Sequence, residues 1–224
     1  MKISGETITV LQNFAAINNG LLVKSGNVLK TISPNKTVLA SAVVNETFDD
    51  FCVYDLSQFL GTLSLLSTPE LEFKRDHVVV SDGNSKVKYV YADPNTIVTV
   101  PERELTIESD IKVVISHTDL SKVIKAANVL GLPNVVFAGD EEGDVIVKAT
   151  DVKNSTSNEI AVSLAADQLV TVPDHPFSMV FRLDNLKIIN DDYTVSISQN
   201  GISEFTGHTA KYFIAVEQAE SKFN

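Results

Sequence analysis

A chain of 224 residues with 44% apolar side chains can bury a core as one large domain or two small ones. Its formal net charge of −11 excludes a protein that coats nucleic acid with its whole surface, but not a local basic stripe. A lone cysteine, Cys52, excludes an internal disulfide and reads as a small buried hydrophobe in a reducing compartment.

The first predicted element is a helix over 6–17, with Val10, Leu11, Phe14 and Ile17 on one face and Asn18-Asn19-Gly20 ending it. Strands over 26–32 and 37–44 follow, joined by Ser33-Pro34-Asn35-Lys36, and then a strand-like run over 51–54 around Cys52. Asp55 caps a second helix with Gln58 three residues on, and Leu56, Phe59, Leu60, Leu63 and Leu66 form its buried stripe. Strands over 78–81 and 86–91 flank the turn Asp82-Gly83-Asn84. Residues 93–108 carry two prolines and no helical period, which makes them a connector. A third helix runs from about Thr118, buries Leu120, Val123, Ile124, Ala127 and Leu130, and stops at Gly131-Leu132-Pro133. Strands over 135–138, 145–150, 159–164 and 178–181 precede a short fourth helix over 183–189, which Asn190-Asp191-Asp192 closes. Strands over 193–198 and 211–216 complete the chain, with Asn200-Gly201 as a turn.

Tight turns make the sheets mostly antiparallel, so the class is α+β. The hexamer Asp55-Leu56-Ser57-Gln58-Phe59-Leu60 returns as Asp119-Leu120-Ser121-Lys122-Val123-Ile124, which suggests one module used twice. The expected domains are 1–108, including the connector, and 109–224, each with two helices against antiparallel sheets. Without a signal peptide or a run of about 20 apolar residues, the chain is expected to be soluble and cytosolic.

Catalytic chemistry is not legible. No phosphate-binding glycine loop occurs, so any ATP-driven step belongs to another protein. His77, His117, His175 and His208 lack metal spacing, and neither metal nor cofactor is expected. Asp140-Glu141-Glu142-Gly143-Asp144 lacks the length of a calcium loop and reads as a solvated turn. Asp49-Asp50 and Asp191-Asp192 are adjacent residues whose side chains diverge on extended backbone, which suits capping better than acid/base work.

Several runs carry a family resemblance. Leu11-Gln12-Asn13-Phe14-Ala15-Ala16-Ile17-Asn18-Asn19-Gly20, Lys24-Ser25-Gly26 and Tyr54-Asp55-Leu56-Ser57-Gln58-Phe59-Leu60-Gly61-Thr62-Leu63-Ser64-Leu65 come first in the chain. Ala92-Asp93-Pro94-Asn95-Thr96, Asn185-Leu186-Lys187 and Tyr212-Phe213-Ile214-Ala215-Val216-Glu217 follow. Taken in order, they resemble the DNA polymerase sliding clamps of large T-even-type bacteriophages across essentially the whole chain.

The resemblance implies a closed homotrimeric ring of two-domain subunits with sheets outside and helices lining a hole for double-stranded DNA. It further implies that the ring tethers the replicative DNA polymerase, is loaded by a clamp loader ATPase, supports late transcription through its factors, and works in the cytoplasm of the infected bacterial host. No enzymatic activity and no membrane association go with it. The competing reading is a phage structural or adaptor protein built from the same modules. On the clamp reading, Lys122, Lys125, Lys187, Lys24 and, more weakly, Lys2 face DNA. Relatives commonly carry a lysine where this chain has Gln12, so the N-terminal part of the lumen is expected to be only mildly cationic. The subunit interface falls on Lys86, Lys88 and Tyr89 in one edge strand and on Glu159, Ile160 and Val162 in the other, with Lys86 or Lys88 meeting Glu159. Partner peptides are expected in a groove lined by Val38, Ala40, Ile97, Val98, Phe213 and Ala215.

Overall fold

The computed structural model describes residues 1–103 and 105–223. Glu104, part of the expected connector, and Asn224, the end of the expected second domain, lie outside the described residues. The chain divides into two compact units, Met1–Arg103 and Glu104–Asn224.

Unit 1 contains α1 (Gly5–Ile17), β1 (Leu21–Val23), β2 (Gly26–Ile32), β3 (Val38–Phe48), β4 (Phe51–Val53), α2 (Leu56–Ser64), β5 (Glu70–Phe73), β6 (His77–Asp82) and β7 (Ser85–Val90). Pairing is antiparallel throughout: β1 with β4, β2 with β3, and the order β5-β6-β7. Helix α1 starts where Ser4 Oγ accepts from Thr7 N at 3.2 Å, and α2 where Asp55 Oδ1 accepts from Gln58 N at 2.9 Å. The two helices pack side by side. Val10, Leu11 and Phe14 of α1 and Leu56, Phe59 and Leu63 of α2 are buried. Beneath them Phe51 lies 5.0 Å from Phe73 and 6.3 Å from Phe59, ring centre to ring centre. Each such aromatic pair adds about 0.5–1.5 kcal/mol beyond area burial.

Unit 2 contains β8 (Ile111–Ile115), α3 (His117–Leu130), β9 (Asn134–Gly139), β10 (Val145–Thr150), β11 (Ile160–Ser163), β12 (Leu169–Thr171), β13 (Phe177–Arg182), β14 (Tyr193–Ser198), β15 (Ile202–Thr206), β16 (Lys211–Ala215) and β17 (Lys222–Phe223). One antiparallel sheet runs β11-β10-β9-β13-β17, and a second runs β12-β8-β14-β15-β16. Phe137, Phe181, Phe205, Tyr193 and Tyr212 form a buried edge-to-face chain.

Three expectations need correction. The fourth helix is only a 3-10 turn, Leu183–Asn185, so unit 2 holds one α-helix among the described residues. Arg182 in the cap position makes no side-chain cap bond. The backbone of Ile189, at the far end, is claimed by two buried tyrosines: Tyr212 Oη accepts from its N–H at 3.1 Å, and Tyr193 donates its hydroxyl to its carbonyl at 2.6 Å. A continuous helix would need that same N–H for Asn185. Second, Leu130 is exposed rather than buried, because Gly131 in the left-handed region (φ 66°) ends α3 beside it. Third, the hexamer repeat does not mark equivalent positions. Asp55 is the cap of α2, whereas Asp119 lies inside the first turn of α3, whose cap is Ser116. The equivalent starts are Ser4 and Ser116, each a serine accepting from the backbone N–H three residues on. No helix among the described residues is long and apolar enough to cross a membrane.

Candidate nucleic-acid interface and subunit edges

Helix α3 presents a cationic face. Leu120, Val123 and Ala127 seat it against β9, β10 and β11, which turns Lys122 and Lys125 outward one turn apart. Its start is fixed reciprocally, since Asp119 N donates to Ser116 Oγ at 3.1 Å and the Ser116 hydroxyl donates to Asp119 Oδ2 at 2.8 Å. Ion pairs of unit 2 among the described residues run through Lys148, Lys153, Arg182, Lys187, Lys211, His117 and His208, leaving Lys122 and Lys125 outside them.

The other three lysines are partly neutralised within their own unit. Lys187 is exposed beyond the 3-10 turn, with Nζ 4.0 Å from Asp184 Oδ1. Lys24 Nζ lies 3.1 Å from Glu102, and Lys2 Nζ 3.6 Å from Glu70. All three pairs are exposed and screened by solvent. Gln12 is exposed on α1, and neither α1 nor α2 has a basic residue in its last turn.

The two strands expected at subunit boundaries both end their sheets. β7 pairs with β6 alone and β11 with β10 alone among the described residues. On β7, Lys86 and Lys88 are exposed and Val90 is 61% exposed, which leaves a bare apolar side chain on an open edge. Tyr89 points inward instead: its hydroxyl donates to Asp55 O at 3.1 Å and its ring meets Phe59 edge-on at 5.3 Å. Burial pushes that phenol above its ordinary range, and the Asp55 charge adds to the effect. On β11, Ile160 and Val162 are half-buried. Glu159 already accepts from Lys148 Nζ at 2.8 Å through Oε2, and a pair with Lys86 or Lys88 would share the carboxylate with that lysine.

The groove residues fall in different environments. Val38, Ala40 and Phe213 are buried and Ala215 is half-buried. Val98 is exposed, and Ile97 lies against Gly20 so closely that an added Cβ there would sit 2.6 Å from Ile97 Cγ2. The start of the connector is held at several points. Asp93 Oδ1 accepts from Asn95 N at 2.9 Å around the turn Pro94–Thr96, and Ala92 N donates to Cys52 O at 2.9 Å. Buried Asn18 donates through Nδ2 to Ile32 O at 2.9 Å and to Val98 O at 3.2 Å. In the sequence, Asn18 and Gly20 read as a helix stop only. The signal for more was a glycine placed where no turn needs positive φ.

Of the acidic pairs, Asp191 accepts from His208 N at 2.7 Å and Thr209 N at 3.0 Å, whereas Asp192 accepts from His117 N at 2.6 Å. The two carboxylates thus tie different loops. Burial raises the Cys52 thiol above its ordinary range. Among the described residues no cluster of three or more His, Cys, Asp or Glu is arranged to hold a metal ion.

Comparison with known proteins decides the family. Residues 4–99 match the family described as DNA polymerase processivity factor, and residues 110–218 match the gp45 sliding clamp, C terminal. The sliding clamp of Vibrio phage KVP40 is 33% identical over 223 residues, covering 97% of this chain and 99% of the relative. The chain belongs to the T-even-type phage sliding clamps. The sliding clamp of Enterobacteria phage T4 is 28% identical, with 97% of each covered. A solved structure of A. fulgidus PCNA bound to the C-terminal region of FEN-1 superposes with a TM-score of 0.72 at 20% identity, with 96% of each chain covered. That likeness establishes the clamp fold.

Proposed function

We propose that this clamp chain forms a closed homotrimer around double-stranded DNA and tethers the replicative DNA polymerase to its template. The observation that carries the reading is end-to-end similarity to a phage sliding clamp, at 33% identity over 97% of this chain. Encirclement makes dissociation depend on opening a subunit boundary, so a chain of net charge −11 need not grip phosphate strongly. Lys122 and Lys125 then supply weak, sequence-independent contacts that permit sliding, with Lys24, Lys187 and Lys2 contributing less because acids accompany them.

Ring closure is assigned to β7 of one copy running beside β11 of the next, extending the ladder across the boundary through Lys86, Lys88, Tyr89, Glu159, Ile160 and Val162. Backbone pairing and cover for Val90 carry the stability, because an exposed Lys–Glu pair contributes only about 0–1 kcal/mol. A partner peptide is assigned to the connector within unit 1, at the half-buried Ile97 and the exposed Val98. Loading falls to a separate clamp loader ATPase, and late-transcription factors use the same ring. The protein is not an enzyme and acts in the cytoplasm of the infected host.

Native mass spectrometry tests the assembly. The expected species is three times the 24.4 kDa chain, and a monomer at high concentration would remove the ring. Polymerase synthesis on a primed circular template, with loader and ATP, tests the tether: products lengthen only when the clamp is present.

A further inference from the structure

A cleft of about 330 Å³ opens within unit 1 between the outer edge of β2 and residues 98–102 of the connector. It is distinct from the groove assigned above, sharing only Val98 with it. Strand register fixes what its β2 wall offers. Thr31 stands opposite Ala40, and Ser33 N donates to Val38 O at 2.8 Å, so the odd-numbered residues of β2 bond to β3. The even-numbered residues direct their backbone groups the other way. At one end this outward row is closed, because Ile32 O accepts from Asn18. Farther along, Lys30 N–H and C=O have no partner strand among the described residues.

Two further features mark the cleft. Val28 and Val98, both exposed, give it apolar walls. Its charges are Lys24, Lys30 and Glu102; the glutamate is paired with Lys24, which leaves Lys30 as the uncompensated cation on the lining of a strongly acidic chain.

We propose that this cleft is a second docking site, which takes an extended acidic segment of a partner protein as an added strand on β2. The incoming segment would accept from Lys30 N–H and donate to Lys30 C=O, set an apolar side chain against Val28 and, two residues on and so on the same face, place a carboxylate by the Lys30 ammonium. Charge complementarity selects this occupant: a basic segment would meet Lys24 and Lys30, and a nucleic acid strand has no alternating amide row to complete the ladder. The site needs no second subunit, so it stands or falls separately from ring closure.

The probe is a fluorescein-labelled octapeptide, Ser-Val-Ser-Glu-Ser-Val-Ser-Glu, which puts valine and glutamate on one face of the strand; it is titrated into the intact protein by anisotropy and followed by amide hydrogen exchange. The matching lysine–valine octapeptide, with lysine for each glutamate, and a duplex oligonucleotide serve as controls. The expected result is binding by the acidic probe alone, slowed exchange at Lys30, and at least tenfold weakening in Lys30→Glu and by 0.5 M salt. Native mass and polymerase stimulation should be unchanged in Lys30→Glu, which separates this site from the tethering function. The proposal is overturned by absence of binding, by equal binding of the lysine–valine peptide, by Lys30-dependent binding of the duplex, or by acidic-probe binding that leaves Lys30 exchange unaltered.

Discussion

Replacing Gly20 by alanine probes the seat of the connector. Gly20 does not have positive φ, so an alanine there meets no backbone strain and its whole cost is contact. The new Cβ would lie 2.6 Å from Ile97 Cγ2 and 2.8 Å from Ile97 Cβ. Ordinary carbon contacts are about 3.5–4.0 Å, so the residue must withdraw by about 1 Å. Overpacking of this kind costs about 1–3 kcal/mol. Ile97 begins the segment that Asn18 holds through Val98 O, and the shift should therefore loosen that bond as well. The assay is a double-mutant cycle with Ile97→Gly, which removes both clashing atoms, read by urea unfolding at one fixed chain concentration. The expected coupling is about 1 kcal/mol or more, with Gly20→Ala alone also lowering polymerase stimulation. Additivity within about 0.5 kcal/mol would refute the contact argument.

Three other outcomes are expected. Ile97→Asp with Val98→Asp should abolish polymerase stimulation while native mass still reports a trimer; unchanged stimulation removes the connector from partner binding. Lys122→Glu with Lys125→Glu should weaken loader-free binding to linear duplex, lowering the slope of log affinity against log salt by about 0.9 for each phosphate that is no longer neutralised; an unaltered slope takes α3 off the DNA path. Burial raises the carboxyl of Glu46, but hydrogen bonds from the Thr7 hydroxyl and from Ser4 N at 2.5 Å outweigh it and hold it below its ordinary value of 4.5. A depressed folded value means that the stabilisation is present above pH 4.5 and is lost as pH falls through the lower, folded value. Glu46→Gln should flatten the acid side of the stability profile in that window, and identical profiles would show that the carboxylate does not anchor α1.

Much of the architecture was legible because periodicity and capping agree wherever a helix stands alone. Asp55 with Gln58 and, of the expected stripe, Leu56, Phe59 and Leu63 needed no tertiary information, whereas Leu60 is half-buried and Leu66 lies past the end of the helix. The segment 183–189 failed because its fate is decided by Tyr193 and Tyr212, residues from other strands that take the backbone of Ile189. Strand β15 was missed for a similar reason. Its Ser203 reads as polar and solvent-facing, yet it is fully buried and donates to Ile214 O at 2.8 Å. Lysine positions could be read from helix faces, but their acid partners could not: Glu102 lies 78 residues from Lys24 in the chain. Cationic strength is thus a tertiary property here.

Topological retention is the central claim, and one measurement bears on it directly. The protein is loaded with clamp loader and ATP onto a nicked circular duplex, the loader is removed, and bound clamp is followed before and after a single restriction cut. The account predicts slow loss from the intact circle and rapid loss through the new ends once it is cut. Equal loss rates from circle and cut duplex would mean that surface contact, not a closed ring, holds this protein on DNA.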